Sequence, residues 1–302
     1  MTWWNGPLVG FDLETTAPDP FTARIVTAAV AVCEPGKIEK RTWLADPGVP
    51  IPQGASDVHG ITTERARAEG RPADEVLGEL LEHLGAVLAV GAPLVIANAR
   101  YDCTVIDHEA RRRGGTLGWL ADVPVVDPFV LDKHLDRYRP SYIDPATGRK
   151  LDPEYAKTQG IKSSRTLEGM ATHYGATLDG AHDAAFDAIA ACRIAWRICA
   201  KGTVIRRRPH EARALEPAWQ AARGDLRALH EYQRALALAE RERFADYKRS
   251  VGDHEAADRI DLERGWPVLD QIECPEHGQT TPCSVCDDLA AANAESMTED
   301  VG

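Results

Sequence analysis

Apolar residues recur along this chain in two rhythms, and the first is that of strands. Leu8 to Leu13 reads as one strand, Arg24 to Cys33 (RIVTAAVAVC) as a second and Lys37 to Leu44 as a third. Short turn-rich links between them predict an antiparallel meander. The rhythm then changes. Over 73–89, Val76, Leu77, Leu80, Leu81, Leu84 and Leu88 fall at helical spacing. Leu94 to Ala97 is a short buried strand, and Tyr101 to Arg113 a helix stopped by Gly114-Gly115. Val123 to Val126 is another strand, and Phe129 to Asp136 a short helix. Arg139 to Lys162 is broken by Gly and Pro and reads as a loop or insertion. Leu167 to Tyr174 and Asp183 to Lys201 are helices. Three strands, then alternating helices and strands, predict an α/β fold: a mixed sheet, antiparallel first and parallel afterwards, flanked by helices. Residues 206–250 are rich in Arg, Ala, Leu and Glu, carry no strand signal and predict one or two exposed helices.

Composition divides this picture further. The 302 residues suit a main domain over 1–203, a basic helical extension over 204–265 and a small C-terminal piece over 266–302. No apolar run approaches the roughly 18 residues that would span a bilayer. The start, MTWWNGPLVG, lacks the basic region and long apolar core of a signal peptide, and seven scattered Cys suit a reducing cytoplasm. The net charge of −12 argues against nucleic-acid binding by overall charge. That charge is uneven: residues 201–250 hold 12 Lys/Arg against 7 Asp/Glu, and 253–302 hold 13 Asp/Glu against 2 Arg. A cluster of carboxylates that holds cations also counts as negative until it is loaded.

The acids themselves are the candidate chemistry. Asp12 and Glu14 sit at i and i+2 of the first strand, so both project from one face while Val9, Phe11 and Leu13 point into the core. Asp-x-Glu occurs five times in the chain; position 12 differs in having an apolar strand before it and Thr15-Thr16 after it. A charged pair on a solvated edge strand would have the same pattern. Asp102 opens a helix whose Val105 and Ile106 share its face, although the helix dipole alone would also favour an acid there. Asp187 lies in one stripe with Ala191, Ile194 and Ile198, opposite Arg193, Arg197 and Lys201, and an acid on an apolar stripe is costly unless paired or metal-bound. A structural salt bridge is the alternative. His182, two residues after Gly180, sits at a loop-to-helix junction, where a His is commonly a surface or capping residue. An imidazole is equally what a general base for water requires. Taken together, three elements distant in sequence direct four carboxylates toward one point. That donor set suits two hard divalent ions, Mg²⁺ or Mn²⁺, able to activate water for an in-line phosphoryl displacement.

At these residues the chain resembles a known family. PLVGFDLETT, LVIANARYDCTVI and AHDAAFDA are similar to the three motifs of the DEDD 3′–5′ exonuclease superfamily, in the DEDDh branch that contains bacterial proofreading subunits and RNase T. VHGIT at 58–62, VVDPFVLDK at 125–133 and TLEGMATHYG at 166–175 agree, so the resemblance covers roughly 7–200. It implies an RNase H-like fold, release of nucleoside 5′-monophosphates and two metals on Asp12, Glu14, Asp102 and Asp187. His182 would take the proton of the attacking water. Thr15, Thr16 and Asn98 would contact the terminal nucleotide. The implied partners are a single-stranded or frayed 3′ end, DNA in the first instance, and a polymerase or other replication or repair protein served in trans. An exoribonuclease and a non-catalytic nucleic-acid-binding adaptor are the alternatives. The chain departs from the family at Ala17, usually Gly, and at Ala97, usually His; the lost His leaves the metal set intact and bears on terminal-nucleotide contacts and so on substrate preference.

Near the C-terminus, Cys274, His277, Cys283 and Cys286 form C-x₂-H-x₅-C-x₂-C. Paired soft ligands of this kind predict a tetrahedral structural zinc, with all four positions filled and no catalytic role.

Overall fold

The computed structural model describes residues 2–269, apart from 122, 145, 202–204 and 263–264. Strands β1 (Leu8–Thr15), β2 (Ile25–Glu34) and β3 (Lys37–Asp46) form the expected meander. Helices α1 (Gln53–His59) and α2 (Thr63–Glu69) follow, then the short strand β4 (Arg71–Pro72) and helix α3 (Ala73–Leu88). Strand β5 (Leu94–Val95), helix α4 (Ala99–Arg111), strand β6 (Val125–Val126) and helix α5 (Pro128–Leu135) complete the sheet. Its order is β4-β3-β2-β1-β5-β6, with β5 and β6 running parallel to β1. This is the mixed sheet that the order of elements predicted, and it agrees with the RNase H-like fold that the resemblance implied. The segment read as a loop, 139–162, contains helix α6 (Pro153–Thr158) and a hairpin bridge between Ile143 and Lys150. Helices α7 (Leu167–Tyr174), α8 (Ala184–Ala200), α9 (Pro209–Gly224), α10 (Leu226–Ser250) and α11 (His254–Leu262) follow.

Two contacts position what matters. The first is α8 on the sheet. Ala184, Ala185 and Ala188 meet Ala29 and Ala31 of β2, so small side chains let the helix come close. A Cβ on Gly10 of β1 would lie 2.5 Å from the Ala188 carbonyl oxygen, so only Gly permits this approach. The second is at the outer edge of the sheet, where β6 has no strand on the side away from β5 among the described residues. His230 Nδ1 accepts the Val125 N–H at 3.0 Å, Gln233 Nε2 donates to the Val125 carbonyl at 3.0 Å, and Gln233 Oε1 accepts the Asp127 N–H at 2.7 Å. Side chains of α10 thus satisfy an edge that would otherwise stand open.

The helices expected to be exposed therefore contribute to the core. Trp219 and Leu229 are fully buried in one cluster with Leu135, Ile194 and Ile198, and the compact unit that holds the sheet extends to Leu236. The pattern hid this because each helix buries only a narrow stripe among Arg, Glu and Ala. A second unit begins at Ala237. Within it Arg241 donates to the Ile260 carbonyl at 3.2 Å, Lys248 pairs with Asp253 at 2.6 Å, and Ala245, Ala257, Trp266 and Leu269 are buried. Among the described residues no helix is long and apolar enough to cross a membrane. The four Cys among them, Cys33, Cys103, Cys192 and Cys199, are free thiols. Cys274, His277, Cys283 and Cys286 lie outside the described residues.

Candidate active site

Asp12 and Glu14 leave β1 on the face that carries Gly10, toward α8, while Val9, Phe11 and Leu13 are buried behind them. Beyond Gly10 the edge of β1 is no longer covered by β5, which ends at Val95. The Leu13 N–H on that edge donates instead to Asp102 Oδ1 at 3.0 Å, which locks α4 to the strand between the two acids. Asp102 is almost fully buried. The start of α4 is held in turn by Asp127, whose carboxylate accepts the N–H of Asn98 at 3.2 Å, Ala99 at 2.9 Å and Phe129 at 2.8 Å. One carboxylate therefore caps the starts of two helices. Asn98 adopts a left-handed backbone, φ 67°, at the turn into α4.

From the other side α8 brings Asp187 in its first turn, behind the cap residue Asp183. His182 has φ 64°, a conformation that costs a non-Gly residue about 1 kcal/mol or more. The strain has a use: it turns the His182 N–H onto Asp187 Oδ2 at 3.2 Å, leaving the imidazole exposed at the mouth of the site. Ligand atoms of Glu14, His182 and Asp187 all lie within 4.8 Å of one another.

Thr15 and Thr16 are both buried and turn to different tasks. Thr16 Oγ1 accepts the Arg24 N–H at 3.0 Å and so fixes the link to β2. Thr15 Oγ1 is hydrogen-bonded to the Tyr101 hydroxyl, which also donates to the Ala17 carbonyl. Burial pushes the Tyr101 phenol up to about 12, so it stays a donor, and the Tyr side chain ties down the stretch where the family usually has Gly. A cavity of about 340 Å³ opens between Glu14, His182 and Asp183 on one side and Trp43, His59 and Ile61 on the other. Asp127, Tyr101, His59 and Asp183 were not singled out from sequence as site residues. Asp-Pro at 127–128 is a readable helix start, and an Asp immediately after His182 is a readable cap. The Tyr101 and His59 contacts are tertiary and leave no local signal.

The electrostatics fit a divalent cation. Burial pushes the Asp12 carboxyl well up, with Asp102, Glu14, Asp187 and Asp183 adding repulsion. Burial also raises Asp102 well above its usual range, against the opposing Leu13 hydrogen bond. Glu14 is raised to about 7 by burial and by Asp187 and Asp183, and Asp187 to about 6, chiefly by burial. Asp187 Oδ1 is buried without a hydrogen-bond partner. Crowded acids with an unsatisfied oxygen are stabilised by a cation and strained without one.

This has a measurable consequence. A carboxyl raised in the folded state holds its proton where the unfolded chain has lost it, so metal-free stability falls as pH rises. The window set by Glu14 and Asp187 runs from their ordinary values near 4 up to about 6 and 7. Allowing for solvent screening, we expect the metal-free melting temperature to drop by about 2–6 °C between pH 4.5 and 7.5. Millimolar Mn²⁺ should restore it at pH 7.5 and do little at pH 4.5. Scanning calorimetry at both pH values with EDTA or Mn²⁺ tests this; a melting point that rises with pH without metal contradicts it.

Acids from β1, α4 and α8 thus crowd together at the end of β1. The family model described as Exonuclease, that of RNase T, matches residues 9–195, and the chain belongs to this family. Among solved structures it is similar to E. coli exonuclease I in complex with a dA16 oligonucleotide, with 18% identity, TM-score 0.49 and coverage of 70% of this chain and 43% of that one. The same enzyme in its apo form gives 18% identity, TM-score 0.48 and coverage of 71% and 45%. The chain thus spans less than half the length of these proteins. No curated protein sequence matches it.

Proposed function

We propose that the protein removes nucleotides one at a time from a single-stranded or frayed 3′ end, DNA by preference, and releases nucleoside 5′-monophosphates. Such ends arise at primer termini and repair gaps, so a polymerase served in trans suits the reading. The observation that carries it is that Asp12, Glu14, Asp102 and Asp187, brought from β1, α4 and α8, are close enough to repel one another, together with the buried, unpartnered Asp187 Oδ1 and the grouping of Glu14, His182 and Asp187 within 4.8 Å.

Asp12, Glu14, Asp102 and Asp187 would hold two Mg²⁺ or Mn²⁺ ions. Bound there, the ions supply charge stabilisation to the phosphate and the leaving oxygen and make water more acidic. The chain's own residues do the rest. His182 takes the proton of the attacking water. Oxygen–phosphorus bond formation then displaces the 3′ oxygen of the penultimate nucleotide, which is protonated from solvent. Asp127 and the Leu13–Asp102 hydrogen bond hold the acids in register as charge moves. The cavity beside Glu14, His59 and His182 has room for a terminal nucleoside; Thr15, Thr16 and Asn98 are not among the residues that line it.

Digestion of matched labelled single-stranded DNA, duplex DNA and RNA, with Mn²⁺ and with EDTA, tests the reading. The expected result is a ladder of products shortened from the 3′ end, with mononucleotides released, fastest on single-stranded DNA and abolished by EDTA. Faster loss of RNA would reassign the substrate to RNA, through contacts to the 2′-hydroxyl. Binding without mononucleotide release would mark an adaptor.

A further inference from the structure

We propose that the segment between α5 and α7, joined by the arginines before α9, is a surface that holds the single strand upstream of the hydrolysed end. The inference deepens the exonuclease reading and rests on it. Residues 137–165 contain seven Lys or Arg against three Asp or Glu, in a chain whose net charge is −12. They are an ordered arm. Asp144 accepts from the Ala146 and Thr147 N–H groups within the hairpin, Leu151 N–H donates to the Tyr142 carbonyl at 3.0 Å, and Asp152 caps α6. The arm's acids are thereby used internally: Asp144 and Asp152 in turns and caps, Glu154 in a pair with Lys157 at 2.8 Å.

The root of the arm is buried and charged. Asp132 of α5 pairs with Arg139 at 2.6 Å and Arg165 at 2.8 Å and accepts the Tyr174 hydroxyl at 2.7 Å. Asp132 stands five residues, about 7.5 Å of helix rise, beyond Asp127, which holds the start of α4. The arm is therefore anchored on the same helix that positions Asp102. The arginines at 206–208 join it through space. The Arg206 N–H donates to the Leu135 carbonyl at 2.7 Å, Arg208 lies over the Tyr138 ring at 5.6 Å, and the Tyr138 hydroxyl donates to Glu211 at 2.9 Å. Two basic runs some sixty residues apart in sequence thus meet.

What this surface offers is specific. Arg137, Arg149, Lys150 and Arg206 are exposed and have no ion-pair partner among the described residues. Tyr155 is 54% exposed and Tyr138 50% exposed. Unpaired cations interleaved with exposed aromatic rings match a phosphate backbone with unstacked bases, the chemistry of a single strand. By contrast, the basic residues of α9 and α10 are partly spent in packing: Arg223 donates to the Cys199 carbonyl at 2.8 Å and lies over Trp4, and Arg234 pairs with Glu231 at 3.6 Å.

The test uses the full chain carrying Arg149→Glu with Lys150→Glu, and in parallel the milder Arg149→Gln with Lys150→Gln. Fluorescein-labelled dT20, rU20 and dT4 are titrated in Ca²⁺ across a range of salt, and digestion of the same strands is followed in Mn²⁺. Both variants should bind dT20 about 10-fold more weakly at 0.1 M salt, with the slope of log affinity against log salt shallower by about 1.4 for two lost phosphate contacts. Tyr155→Ala should weaken dT20 binding about fivefold and leave the slope unchanged. Binding and digestion of dT4 should stay at the unsubstituted level, and loss on rU20 alone would assign the surface to RNA strands. If the unsubstituted protein digests dT20 and the variants bind dT20 and rU20 with its affinity and slope, the arm does not hold the strand. If the unsubstituted protein binds dT20 and digests nothing, the exonuclease reading fails instead.

Discussion

Asp12→Asn lowers the rate of 3′-end hydrolysis by about 10³-fold or more, and Asp187→Asn does the same. Each change removes a charged oxygen donor while keeping the side chain's size. The fold is expected to survive, because the Asp12 carboxyl is held in the folded state against its own burial and the repulsion of Asp102, Glu14 and Asp187. Relief of that repulsion should raise the metal-free melting temperature above pH 7, by about 2–4 °C for each kcal/mol recovered. Rate and stability thus move in opposite directions, which a merely damaged protein does not do. Single-turnover digestion of labelled DNA and calorimetry of the same sample check both. Near-normal turnover by Asp12→Asn would sink the carboxylate-held metal assignment.

His182→Ala should cost a factor of about 10²–10⁴ in kcat with little change in KM. The substitution removes the imidazole and keeps the backbone, so the N–H that donates to Asp187 stays in place. The closeness of His182 to Glu14 and Asp187 sets up a competing role as a direct metal ligand. The two roles separate by titration calorimetry with Mn²⁺. A base leaves the metal affinity of the alanine variant unchanged, whereas a ligand weakens it in step with the rate. His182→Gly is a useful partner variant: it relieves the left-handed backbone cost, so a rate loss equal to that of alanine points to the ring and not to loop strain.

The legible part of the site was the part written locally. Asp12 and Glu14 share a face because strands alternate, and Asp187 stood out because an acid interrupts an apolar stripe on α8. The meander and the order of later elements followed from the same two periods. What escaped depends on distant partners. α1 and α2 lie in a stretch of short polar, Pro- and Gly-interrupted sequence, and the buried residues of that stretch, such as Ile61 between the helices and Ala66 in α2, pack against Val26 of β2 and give no run of their own. Asp127 looked like an ordinary helix cap, and nothing local says that its second task is to hold α4, 28 residues back. Trp219 and Leu229 were lost among arginines and alanines, since a single buried stripe on a charged helix resembles a solvated one.

The pairing of β6 with α10 carries a practical consequence for anyone trimming this protein. A chain cut near residue 203, where the family motifs have all been passed, would look complete by alignment. It would nonetheless lose His230 and Gln233, stranding the main-chain groups of Val125 and Asp127 at the same place where Asp127 supports the start of α4. It would also strip Trp219 and Leu229 from the interior. The smallest fragment that keeps these contacts and the compact unit around the sheet runs to Leu236.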